Sequence, residues 1–264
     1  MTKELAGAMS KVPEVTLGFW IIKVLATTLG ETGGDSVTMS MNLGYAIGSF
    51  IFLGIFVVAI IAQIAGKRFH PILYWITIVA TTTLGTTMAD YVDRSLGIGY
   101  LGGSSTLLAG LVASLAIWRW SEGSISVNTV ATPRVELFYW VAILFSQTLG
   151  TALGDWMADT NGLGYEGGAI VFAGALAVVG AACYCTAISR TLLFWAAFVL
   201  TRPLGATLGD LLDKPVSHGG LAISRYLASG ILAALIVALI LLIPQRAGVY
   251  PGGRIREEEE ALEA

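Results

Sequence analysis

Two cysteines, two histidines and charge at only 12% of positions leave little of what a soluble catalytic domain is built from. Such a domain is usually closer to a quarter charged. Cys183 and Cys185 are too few for a disulfide framework or a soft-metal centre, and read as packing residues. His70 and His218 stand alone, which excludes a His-rich metal motif. No nucleophile–base pair and no phosphate loop occurs. Neither enzymatic activity, an organic cofactor nor a nucleic-acid partner is therefore expected. Residues 1–17 are too polar for a secretory signal and carry no cleavage site, so the first apolar segment is expected to stay in the chain.

What fills the space is apolar. Hydrophobic residues make up 55% of the chain, and the mean hydropathy is +0.76. Uninterrupted runs at 45–65, 101–118, 169–188 and 226–243 are close to the length of about 20 residues that spans a bilayer as a helix. The partner implied is the lipid bilayer.

The chain repeats itself four times. An aromatic-Trp pair stands at Phe19-Trp20, Tyr74-Trp75, Tyr139-Trp140 and Phe194-Trp195. Ten residues after each Trp comes a Leu-Gly step ending at Gly30, Gly85, Gly150 or Gly205. Five residues further stands Asp35, Asp90, Asp155 or Asp210. The glycines are 55, 65 and 55 residues apart, which reads as a double duplication. Residues 83–104 and 148–169 share 10 of 22 positions, far above chance.

Each copy predicts two helices, one ending near Leu-Gly and one made by the following apolar run. The expected fold is an all-α polytopic membrane protein of eight transmembrane helices, arranged as four tandem, like-oriented two-helix repeats in two duplicated halves. The expected spans are 13–31, 44–66, 70–91, 99–119, 135–157, 165–188, 190–212 and 221–243. Residues 1–120 form the first half and 134–246 the second. A polar linker (121–133) joins them, and a disordered acidic tail (247–264) follows. Lys3, Lys11, Lys67, Arg68, Arg119, Arg134, Arg190, Arg246, Arg254 and Arg256 all fall on one side, which the positive-inside rule makes cytoplasmic. The expected location is the bacterial inner membrane with both termini cytoplasmic. The acidic motifs then lie outside, with Arg94 and Lys214 as the main basic residues beside them.

Each copy holds a pair of acids three or four residues apart: Glu31 and Asp35, Asp90 and Asp93, Asp155 and Asp159, Asp210 and Asp213. On a helix each pair shares a face. At a helix C-terminus two carboxylates repel one another and oppose the dipole. A bound cation, a proton or a nearby Arg or Lys relieves that. Oxygen ligands without His or Cys favour hard cations such as Mg²⁺, Ca²⁺ or Mn²⁺. The competing reading makes each acid a solvated loop residue or helix cap; capping alone does not require one register through two duplications.

Lys23 and Arg202 fall inside spans, where a cation needs a partner. They read as counter-ions to the acids, or alternatively as ligands for an anionic substrate. Thr27, Thr28, Thr82, Thr83, Gln147 and Thr148 precede the Leu-Gly steps and either line a path or bond helices together.

The segments Lys-Val-Pro-Glu-Val-Thr (11–16), Leu-Gly-Glu-Thr-Gly-Gly-Asp (29–35) and Gly-Asp-Leu-Leu-Asp-Lys-Pro (209–215) resemble a bacterial family of uncharacterised "membrane-anchored" proteins. The resemblance covers nearly the whole chain and implies no particular activity. Glu31-Thr32-Gly33-Gly34-Asp35-Ser36 is also similar to the Glu-x-Gly-Asp motif of cation/proton exchangers, with one extra Gly and no basic residue. That likeness implies Mn²⁺ or Ca²⁺ exchanged for protons.

The function expected is transport of a hard divalent cation, Mn²⁺ first, with proton coupling. A cation channel with an acidic ring, or a non-transporting scaffold or sensor, are the alternatives.

Overall fold

The computed structural model describes residues 10–66, 68–160 and 162–248. Their regular structure is helical throughout, in eight long helices: α1 (Leu17–Asp35), α2 (Gly44–Ala65), α3 (Pro71–Asp90), α4 (Gly99–Glu122), α5 (Pro133–Asp155), α6 (Gly164–Cys185), α7 (Arg190–Asp213) and α8 (Arg225–Leu242). Lys67 and the tail from residue 249 on, with Arg254 and Arg256, lie outside the described residues, as does Lys3.

The odd helices form an inner ring in the order α1, α3, α5, α7, closed by α7 against α1. The even helices lie outside it. Each packs not on its own repeat's first helix but on the next repeat's: α2 on α3, α4 on α5, α6 on α7 and α8 back on α1. The expected two-helix unit is thus a unit of sequence and not of packing. Nor do the two halves separate, since α3 meets α5 as α1 meets α3.

Seven helices are long and apolar enough to cross a membrane, consistent with a multi-pass membrane protein. The inner spans are largely buried (72% for 71–95) and the outer ones largely exposed (17% buried for 164–185), as lipid-facing helices should be. The expected eighth, α1, falls outside this set because Lys23, Glu31 and Asp35 lie within its 19 residues. Three other helices surround those charges, so the segment occupies the same place in the ring as α3, α5 and α7.

Glycine sets the helix spacing. A methyl added to Gly30 would collide with Thr82, one on Gly150 with Arg202, and one on Gly205 with Thr27. On Gly85 it would stand 3.0 Å from Gln147 and Thr148. The four Leu-Gly glycines therefore mark where each inner helix touches the next. They do not end the helices: α3, α5 and α7 run past them as the expected spans did, and α1 runs on to Asp35, beyond the expected end at 31. The first three inner helices run on through the Asp and into one π-helical turn, Ser36–Ser40, Tyr91–Ser95 and Trp156–Thr160. The fourth has no such turn; Pro215 stands at the equivalent place and has no N–H to donate. The Gly-x-Gly-Tyr motif then reverses the chain with two left-handed residues, as at Gly97 (φ 69°) and Gly99 (φ 76°). Asn42 (φ 57°) takes the first place in copy one, tolerated because Asn readily enters that region.

At the other end the axis is closed by aromatics. Phe19, Tyr74, Tyr139 and Phe194 occupy one level and are buried, and the Tyr74 and Tyr139 hydroxyls hydrogen-bond at 2.7 Å. Beneath this plug the chain segments before α1 and after α8 pair through Ser10–Gly248 and Glu14–Arg246 backbone bonds. The linker joins them: Ser10 Oγ donates to Val127 O at 2.7 Å, and Val127 and Val130 belong to the core. The segment expected as a polar linker is therefore part of a packed floor. Lys11 reaches the Glu136 carboxylate there, and both are buried. Cys183 is half-buried and Cys185 exposed, both as free thiols, so Cys185 is not the packing residue expected.

Candidate cation-binding cluster at the ring axis

Because the inner helices continue through their Leu-Gly steps, Asp35, Asp90, Asp155 and Asp210 lie inside the bundle at one level, each no more than 3% exposed. They are neither solvated loop residues nor caps. Two basic side chains link them in pairs. Arg94 Nε lies 3.0 Å from Asp90 Oδ1, and its Nη2 lies 2.9 Å from Asp155 Oδ2. Lys214 Nζ lies 2.6 Å from Asp35 Oδ2 and 3.0 Å from Asp210 Oδ1. Each cation thus binds the Asp four residues before it and the Asp of the following repeat.

Arg94 and Lys214 stand nine residues after the Leu-Gly glycine in copies two and four, where copies one and three have Met39 and Asp159. The ring of four acids therefore has two-fold, not four-fold, charge symmetry. In sequence both cations stand beside the acidic motifs with nothing in one copy alone to assign them a role. Aligning the copies at that ninth position, and the i,i+4 spacing to the Asp, is the signal that finds them. Burial lowers the Lys214 pKa, but Asp210, Asp35 and Asp213 outweigh it and hold the value raised, so the ammonium stays charged.

One position breaks the symmetry further. Glu31 follows its Gly directly, where the other copies carry Thr86, Thr151 and Ala206. Arg202 of the neighbouring α7 meets it: Nη2 lies 2.8 Å from Glu31 Oε2 and also donates to Thr86 and Thr151. Glu31 then sits beside two of the aspartates. Carboxylate oxygens of Glu31, Asp35 and Asp210 all lie within 4.8 Å of one another, buried. That separation fits oxygens around a single hard cation, whose metal–oxygen distances run from about 2.0 to 2.6 Å. Asp35 Oδ1 has no hydrogen-bond partner among the described residues. Asp90 and Asp155, held by the Arg94 guanidinium, have no third acid of this kind.

The second acids of the other copies do not join. Asp213 pairs with Arg225 at 3.1 Å, a residue sequence reading did not single out. Asp159 is exposed and accepts from Tyr100 at 3.0 Å. Asp93 is buried against Gly103 of α4, and neither of its oxygens has a hydrogen-bond partner among the described residues. Of the residues expected on a path, Thr28, Thr83 and Thr148 donate to carbonyls four residues back on their own helices, which satisfies them locally. Thr83 faces an outer apolar groove between α2 and α8 of about 580 Å³. Thr27, Thr82, Gln147 and Arg202 form one layer three residues before the glycines. Arg202 is the counter-ion expected. Lys23 is not: its polar partner is Gln147 Oε1 at 3.4 Å, and its ammonium lies 4.1 Å from the Phe198 ring centroid.

The model of the family described as Repeat of Unknown Function (DUF347) matches the chain four times, at residues 18–69, 73–124, 138–189 and 193–244. No curated protein and no solved structure matches the chain.

Proposed function

The chain belongs to the DUF347 repeat family, which assigns it no activity, and we propose that it is a membrane transporter of a hard divalent cation. The single observation that carries this reading is the buried triad of Glu31, Asp35 and Asp210, with oxygens close enough to share one ion. The three acids carry three negative charges and Arg202 offsets one. Arg225, 3.7 Å from Asp35, is offset by its own partner Asp213, so when Lys214 withdraws the two charges left match a divalent ion. Lys214 then acts as the resident counter-ion: it holds the empty carboxylates together and gives way when metal arrives. An all-oxygen set suits Mn²⁺, Ca²⁺ or Mg²⁺ and offers nothing to a soft metal.

The aromatic plug favours a gated transporter over an open channel. Phe19, Tyr74, Tyr139 and Phe194 fill the axis below the acids, so passage needs the inner helices to shift. Asp213 offers a place for the displaced Lys214 ammonium or for a counter-moving proton.

Proteoliposomes containing the purified protein test this with Mn²⁺, Ca²⁺ and Mg²⁺ outside and a proton-sensitive dye inside. Saturable metal uptake with opposed proton movement is expected. Flux that never saturates would identify a channel, and no flux with any of the three would leave a scaffold or sensor.

A further inference from the structure

Two turns of α1 below Glu31, the interior changes sign. Lys23 is fully buried and has no carboxylate within ion-pair distance among the described residues. Arg202 is also fully buried; its Nη2 is used by Glu31, Thr86 and Thr151, but its Nε and Nη1 have no hydrogen-bond partner among the described residues. Gln147 gives its oxygen to Lys23, which leaves its Nε2 without an acceptor. The hydroxyls of Thr82 and Ser146 are likewise buried without partners. Three of these residues, Thr82, Gln147 and Arg202, occupy the same level on α3, α5 and α7. Ser146 lies one residue before Gln147. Lys23 comes from α1 and crosses to Gln147 on the opposite helix.

We infer that this level of the ring is a binding site for a small monovalent anion, a halide or a small carboxylate. The unmet groups are a guanidinium edge and an amide N–H₂, which only donate, and two hydroxyls, which can donate, beside an ammonium that lacks a counter-charge. An electron-rich ligand can accept from the ammonium, the guanidinium edge, the amide N–H₂ and the hydroxyls, whereas a second cation meets only the hydroxyl oxygens and is repelled by Lys23 and Arg202. Charge points the same way. Lys23 and Arg202 bring two positive charges and Glu31 one negative, so a single negative charge completes the balance. Buried charges of one sign are costly unless paired. The Phe198 face opposite Lys23 attracts the ammonium but supplies no counter-charge. This site meets the cation triad at the Arg202–Glu31 pair, while Lys23 and Gln147 lie outside the triad.

The test uses the intact purified protein in detergent at constant ionic strength, with sodium gluconate replaced stepwise by chloride, by bromide or by formate. The thermal midpoint is expected to rise saturably with one of the small anions and not with gluconate, which is too large to enter. Halide-only stabilisation would identify a halide site, and formate-only a carboxylate site. Gln147→Glu places a fixed negative charge 3.4 Å from Lys23; it should be as stable in gluconate as the unaltered protein is in the anion, and lose the dependence. Lys23→Met should lose it too. A midpoint indifferent to all three anions would mean that water satisfies these groups, and would overturn the inference. So would an anion effect that Gln147→Glu leaves at full size, because the anion would then bind elsewhere.

Discussion

Arg94 and Lys214 are the same residue position in copies two and four, and each ties an aspartate of its own helix to the aspartate of the next repeat. Between them they neutralise half of the four-acid ring. The cost of removing either one follows. An unpaired charge left in a buried site typically destabilises by about 3–5 kcal/mol. Arg94→Met should reach that range, measured by denaturant or thermal unfolding in detergent. Lys214→Met should lose less once divalent metal is added, because the metal takes the place of the ammonium. Equal losses with and without metal would mean that Lys214 does not occupy a metal position.

Glu31 and Arg202 form a buried ion pair between the neighbouring helices α1 and α7. Glu31→Gln and Arg202→Gln should each destabilise strongly, by about 3–5 kcal/mol. The double variant should cost clearly less than their sum, since neither partner is then stranded. A double-mutant cycle reads the coupling; strict additivity would show that the pair contributes only as two separate groups.

Two kinds of glycine should respond oppositely to alanine. Gly30→Ala and Gly205→Ala drive a methyl into Thr82 and Thr27 at the helix contacts and should cost about 1–3 kcal/mol. Gly33 and Gly54 lie in α1 and α2 with nothing within 4 Å of an added methyl. Alanine there should stabilise by about 0.5–1 kcal/mol through helix propensity. Thermal midpoints of the four variants check this directly.

Much of the ring was legible in sequence because the signals are local and repeat. The Leu-Gly register, the common Asp and an apolar second helix recur in all four copies. What was not legible depends on which helix packs against which. The acids of different copies come together because each inner helix meets the next repeat, a contact no spacing within one copy encodes. The spacing predicts that the first helix ends near Gly30, at the Leu-Gly step. It continues because that glycine's missing side chain is what lets α3 approach. The pairing of the second acids was also out of reach: Glu31 faces the axis because it follows its Gly directly, whereas Asp93 and Asp213 sit a helical turn beyond the ring.

Orientation follows from the positive-inside pattern and the shared end of both chain segments. Single cysteines at Ser124 and Thr186 should label from one side of the membrane, and cysteines at Met41 and Leu96 from the other. Labelling of Thr186 and Leu96 from the same side would break the repeated topology.

The central claim is that Glu31, Asp35 and Asp210 hold the transported cation, and metal-dependent stability of single Asn variants tests it most directly. Mn²⁺ should raise the stability of the unaltered protein by about 2.7 kcal/mol at a hundred times its dissociation constant. Asp35→Asn and Asp210→Asn should abolish that rise and the Mn²⁺ flux, while Asp159→Asn, exposed and outside the triad, should keep both. Asn retains the shape and one oxygen, so what is lost is the charge that holds the ion. A full Mn²⁺ response in both Asp35→Asn and Asp210→Asn would contradict the account.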